Sequence, residues 1–277
     1  MLYRSRVPRP PLDTLIASIW VFQSAPRPHA LERILPTGAA QLIVNLHEDQ
    51  TRLYDPARGY RCETTAGTVL AGPSSRFSII DTAEQEHVLG VAFKPGGTVA
   101  FMRPPAHETR DVDVPLECLW GRGRTALLRE QLLELHDPDA QLDLMEEALR
   151  DIYRPPGLHP AVAFALRCLD RAPQTTTIGS VTNAIGLSPM RFIERFKMQV
   201  GVTPKRYGRI RRFQAALAQA HRHEAVDWTR VAMDCGYFDQ AHFIHDFRAF
   251  AGITPTGYQS ARTEFQNHVK FLQSPID

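Results

Sequence analysis

From Gly186 to Arg222 the chain carries nine lysines and arginines against one carboxylate, Glu194. So lopsided a segment suits binding to a polyanion, above all to the phosphates of a nucleic acid, through release of condensed counterions. A charge run is otherwise a solvated helix face, so the placement of these residues on their elements has to decide between the two. No other chemistry is evident. His29, His47, His87 and His107 are scattered, without the spacing of a metal site, and the chain has no phosphate loop, dinucleotide fingerprint or nucleophile elbow. Cys62, Cys118, Cys168 and Cys235 form no CxxC, which fits reduced cytoplasmic thiols better than a zinc site or a disulfide framework. The expectation is therefore no metal, no cofactor and no catalytic residue.

The elements that carry these charges belong to an internal repeat. Val181 and Gly186 recur as Val231 and Gly236 at an offset of 50; Phe192-Ile193, Phe196, Gly201, Thr203-Pro204 and Tyr207 recur as Phe243-Ile244, Phe247, Gly252, Thr254-Pro255 and Tyr258 at an offset of 51. Such coincidence, with a one-residue slip, indicates two copies of one supersecondary unit. Each copy reads as a helix-turn-helix: helices over 178–185 and from Ser188-Pro189 in the first, over 228–235 and 239–251 in the second, with glycine in the turn. The first unit is placed at about 178–200 and the second at about 228–251, joined by one continuous helix over about 204–221.

Helical phase then divides each second helix. Phe192 and Phe196 mark the buried side of the first, and Phe243, Phe247 and Phe250 that of the second. This leaves Met190, Glu194 and Lys197 outward on one, toward the bases, with Ile193 and Arg191 at the margins, and Ala241, His245 and Arg248 outward on the other, flanked by His242 and Ile244; Arg191, Arg195, Lys205, Arg206 and Arg248 are assigned to phosphate. Arg209, Arg211 and Arg212 of the connecting helix are also expected near the DNA backbone. That helix, some 18 residues or roughly 27 Å, is long enough to hold two recognition helices about one turn of duplex apart.

The segments SVTNAIGLSPMRFIERF, GVTPKRYGRIRRFQAAL and VAMDCGYFDQAHFIHDFRAFAGITPTGY resemble the DNA-binding domain of the AraC/XylS family of bacterial transcription regulators. The second unit follows the family pattern G-[YF]-x-D-x-x-[HY]-F-x-x-x-F-[RK]-x-x-x-G-x-[ST]-P-x-x-[YF] almost throughout. The resemblance implies that base edges are read by Met190, Ile193 and Glu194 of the first unit and by Gln240, Ala241, His242 and His245 of the second. Members commonly place Arg where Glu194 and His245 stand, so the arginine-to-guanine contacts that the resemblance implies are missing here.

The rest of the chain must position this reader. Residues 1–155 hold 17 basic and 21 acidic residues and residues 156–277 hold 15 and 9, so the basic surplus is C-terminal. Apolar or alternating runs at Leu15–Phe22, Gln41–Leu46, Gly67–Ala71, Phe77–Asp81 and Val88–Phe93 predict strands of an antiparallel barrel or sandwich, separated by turns such as Asp55 to Gly59 and Pro95 to Gly97. Helices follow: one through Leu127, Leu128, Leu132 and Leu135, one from Asp137-Pro138 through Leu142, Met145, Leu149 and Ile152, and one from His159-Pro160 to about Ala172. The boundary is set at Arg154 to Gly157, giving 1–155 as a β-rich domain and 156–277 as an all-α one, an α+β chain. LPTGAAQLIVNL, LAGPSSR and VAFKPGG look similar to a subgroup of regulator N-terminal domains, which implies a cupin-like barrel that senses a small-molecule effector or forms a homodimer. With no apolar run of spanning length and no secretion signal, the expectation is a soluble cytoplasmic protein whose partners are double-stranded DNA and the transcription machinery. The rival reading is a barrel-fold enzyme or small-molecule carrier whose helical domain no longer binds DNA.

Overall fold

A computed structural model describes residues 1–25, 31–55, 61–155 and 157–271. The turn expected over residues 56–59, His29 and Pro156 of the expected boundary lie outside the described residues. Two antiparallel sheets form the N-terminal half. In the first, β1 (Leu2–Arg6), β2 (Ile16–Gln23), β9 (His87–Phe93), β4 (Gln41–Asn45), β7 (Thr68–Ala71) and β10 (Asp113–Pro115) lie side by side in that order. The second runs β11 (His268–Lys270), β3 (Leu31–Ile34), β8 (Ser78–Asp81), β5 (Gln50–Asp55), β6 (Arg61–Ala66). The apolar patterns foretold β2, β4, β7, β8 and β9. They did not foretell β1, β3, β5, β6, β10 and β11, which are short, polar or exposed and bury no alternating stripe.

The main core of this half lies between the first sheet and helices α2 (Arg122–Glu134) and α3 (Pro138–Ile152), which follow the short α1 (Leu116–Trp120). A register shift between Ile16 and Ser18 sends Ile19 and Val21 to the helical side, where they join Leu42, Leu89, Val91, Leu132, Leu142 and Met145. Period-two alternation then turns Ser18, Trp20 and Phe22 toward the second sheet. Asp137 caps α3 by accepting from the amides of Asp139 and Ala140. In α2 only part of the expected stripe holds: Leu128 and Leu132 are buried, Leu127 is exposed and Leu135 follows the last turn, because α2 presents a narrow face to the sheet. Gly96 of the Pro95–Gly97 turn has φ 77°, the left-handed backbone glycine favours.

The helical half comprises α4 (Pro160–Arg171), α5 (Ile178–Ile185), α6 (Pro189–Val200), α7 (Pro204–His221), α8 (Trp228–Asp234), α9 (Gln240–Ala251) and α10 (Pro255–Ala261). Phe192, Phe196, Val200 and Tyr207 form one core with Val162, Leu166 and Leu169 of α4; Phe213, Trp228, Phe243, Phe247, Phe250 and Tyr258 form another. After the all-α pair of helix-turn-helix units the chain adds one short strand. Its final element, β11, pairs with β3, Val269 opposite Arg33, and Leu35 of the N-terminal half is buried in the core of the second unit together with Val269. The polar tail carries no strand signal, and β3 offers it a free edge.

Candidate nucleic-acid interface

Both helix-turn-helix units are built by local rules. Thr177 caps α5 through the Ser180 amide, and Gly186 turns the chain with φ 65°. Pro189 starts α6, although the N-cap Ser188 makes no side-chain bond, and Gly201 closes it at φ 91°. In the second copy Asp227 caps α8, Gly236 turns at φ 74°, Asp239 accepts from the His242 amide at 2.7 Å, and Gly252 closes α9. With the aromatic stripes buried, the opposite faces are free. On α6, Met190 is 79% exposed, Ile193 38%, and Arg191, Glu194 and Arg195 are exposed; Lys197 is half-buried. On α9, Gln240, Ala241, His245 and Arg248 are exposed, while His242 is half-buried against the Tyr237 ring, centroids 5.4 Å apart.

The connecting helix α7 packs on α4 and α6 at one end and on α8 and α9 at the other. Its basic residues do not behave as expected. Lys205 is exposed. Arg206 instead donates to the Ser75 carbonyl at 2.6 Å and lies 4.7 Å from the Phe250 ring centroid, and burial lowers its pKa. Arg209 forks onto the Asp246 carboxylate at 3.1 and 2.6 Å, which raises the arginine's pKa. Arg211 pairs with Asp170 at 2.8 Å, and Arg212 donates to the Gly236 carbonyl at 3.3 Å. Four arginines that charge counting assigned to the DNA backbone thus hold the protein together in this conformation. Helical phase contained a signal for one of them: Asp246 falls beside the Phe243–Phe247 stripe, and a buried carboxylate requires a partner.

A segment of the N-terminal half touches both units and the helix between them. At the end of α6, a Cβ on Gly201 would stand 2.6 Å from Pro73 Cγ; at the end of α9, one on Gly252 would stand 2.5 Å from the Phe77 ring. Between these points Ser75 holds Arg206, and Asp111 accepts from the Ser75 hydroxyl at 2.6 Å. Residues 73–77 therefore touch the ends of both α6 and α9 and hold the first turn of α7.

Behind that segment lies a cavity of about 840 Å³ between the two sheets. Ser18, Trp20, Phe22, Gln41 and Ala92 line one side, Glu32 and Ile34 the other, with Ser74 at the rim. The tail of the helical half, Arg262 to Lys270, forms the remaining wall. It is anchored by His268 Nδ1 3.0 Å from Glu32, by Phe265 against the rings of Tyr3 and Phe22, and by Arg262 on the carbonyls of Ala220 and His223. This wall was not visible from the sequence.

Residues 181–261 match the family of helix-turn-helix domains. The C-terminal domain is of the AraC type. Residues 4–115 match a domain of unknown function (DUF6597). The probable transcriptional regulator LumQ of Photobacterium leiognathi is 30% identical over 83 residues, which are 30% of this chain and 33% of LumQ, so the match spans about a third of that relative. Among solved structures, an apo variant of ToxT from Vibrio cholerae aligns over 87% of this chain and 96% of its own at 11% identity, with TM-score 0.48. The C-terminal domain of AraT, a response regulator from Geobacillus stearothermophilus, aligns over 37% of this chain and 86% of its own at 23% identity, with TM-score 0.35. Among the described residues no helix is long and apolar enough to cross a membrane.

Proposed function

We propose that the chain is a ligand-responsive transcription regulator in which residues 156–277 read duplex DNA and residues 1–155 sense an effector. The observation that carries the reading is the AraC-type pair of helix-turn-helix units, with the exposed faces of α6 and α9 held by one helix of 18 residues. A rod of that length, roughly 27 Å, with one recognition helix carried at each end is long enough to place them about one turn of duplex apart, in successive major grooves on one side. Base contact falls to Met190, Ile193, Glu194, Gln240, Ala241 and His245, and phosphate contact to Arg191, Arg195, Lys205 and Arg248, all of them exposed. Lys197 and His242 sit at the margins, and Arg206 joins the phosphate set only if residues 73–77 let it go. Responsiveness is supported by the cavity, whose walls come from both halves of the chain: a molecule filling it bears on Ser74 and on the tail at once. No catalytic step is assigned to any residue. Contact with the transcription machinery, and pairing of two copies, belong to this reading as its regulatory output.

The test is selection of binding sequences from a random duplex library with the full chain, followed by footprinting. The expected site has two blocks with centres about 10 base pairs apart. Enrichment of no sequence refutes the regulator and leaves the small-molecule carrier.

A further inference from the structure

The turn of the second unit is one residue longer than that of the first, and the additional residue is Phe238. Its neighbours have structural duties: Tyr237 packs in the core of the second unit, and Asp239 caps α9. Phe238 has none, and it is 92% exposed immediately ahead of the recognition helix. A lone apolar side chain in water is ordinary. Here, however, Met190 and Ile193 stand exposed on the matching face of α6, and Ala241 is exposed in the first turn of α9. The leading end of each recognition helix therefore exposes apolar side chains, beside Arg191 on α6 and Gln240 on α9, while the arginines that would fork onto guanine are absent from Glu194 and His245.

In the major groove, thymine is the base that offers an apolar group, its C5 methyl, and apolar side chains, phenylalanine among them, are the matching contact. A recognition helix enters the groove by its N-terminal residues, which is where Phe238, Ala241 and Met190 lie. We propose that Phe238, with Met190 and Ile193, reads thymine methyl groups, so that the preferred sites are defined by thymines rather than guanines. This rests on the DNA-binding reading above and names the base chemistry of its site.

Deoxyuridine provides the test, since it pairs as thymine does and lacks only the methyl. Sites selected by the full chain are resynthesised with each thymine replaced singly, and wild type is compared with Phe238→Ala and Met190→Ala, truncations of exposed side chains that leave both cores intact. Burial of one methyl corresponds to about a fourfold change in affinity. Wild type should lose about that much at two or more positions in separate blocks, and Phe238→Ala should become indifferent to the substitution at one position while remaining sensitive at the others. Uracil-containing sites bound as well as thymine ones would overturn the proposal, as would a Phe238→Ala profile identical to that of wild type, the result expected if Phe238 docks on a protein instead. Failure to select any site refutes DNA reading itself, whereas a selected but uracil-indifferent site refutes only the methyl reading.

Discussion

Replacing Arg209 with methionine removes a guanidinium that makes two hydrogen bonds to Asp246, a carboxylate whose side chain is 2% exposed. The variant keeps an apolar stem in place but leaves the carboxylate buried without the guanidinium that hydrogen-bonds it, with His242 Nε2 3.9 Å away and Arg206 acting on it from farther off. Removing one partner of a buried pair costs about 3–5 kcal/mol, mostly the cost of the charge left behind. For a chain of this size the loss corresponds to a fall in melting temperature of about 6–20 °C. Because the pair ties α7 to α9, the second recognition helix should also lose its fixed seat, and the second block of the selected site should lose footprint protection before the first. Arg209→Lys retains the charge without the fork and should recover part of the stability. The double variant Arg209→Met with Asp246→Leu buries no charge and should return to within about 1 kcal/mol of wild type. Urea denaturation measures all three. A loss below about 1 kcal/mol for Arg209→Met, or a double variant no more stable than the single, would refute the account.

The remaining expectations concern charge and the cavity. Lys205→Ala should lower the slope of binding against salt by about one phosphate contact, whereas Arg206→Ala should leave it unchanged, because Arg206 is held by Ser75. If Glu194 accepts from a cytosine amino group, Glu194→Ala should relax preference at one base pair by about 1–3 kcal/mol; uniform strengthening across all duplexes would show that it only repels phosphate. Burial lifts the Asp113 carboxyl from 3.8 to about 7, so ionisation favours the unfolded chain and stability should fall as pH rises from about 4 to about 7. Asp113→Asn should flatten that slope in melting curves, and an unchanged slope would show that the carboxyl is solvated. Narrowing the cavity with Ala92→Leu should abolish any melting-temperature increase that a small molecule produces in wild type; an increase that persists would place the ligand elsewhere.

The recognition helices, the connecting helix and their buried stripes were legible in the sequence, because each depends on neighbours three or four residues away. Phe192 and Phe196 set the phase of α6, Phe243, Phe247 and Phe250 that of α9, and the glycines with φ of 65° and 74° mark the turns. The exposed faces followed from those stripes. The sequence also contained the departures at Glu194 and His245, since an AraC-type pattern places each position on its helix. What it did not contain is which charges are already spent. A positive residue on a helix near DNA reads the same whether it meets a phosphate or an aspartate, and Arg209 meets Asp246 only because α7 and α9 cross there, 37 residues apart in sequence. The same holds for the tail, where residues 268–270 are unremarkable as a sequence. They become a strand because they pair along the side of β3 opposite β8, and pairing there satisfies backbone groups of both segments. The polar strands β5 and β6 have that origin too. Local periodicity therefore determined the two helix-turn-helix units, while the cavity, its wall and the bond between the two halves came from long-range pairing of edges and charges, for which no short stretch of sequence carries a signal.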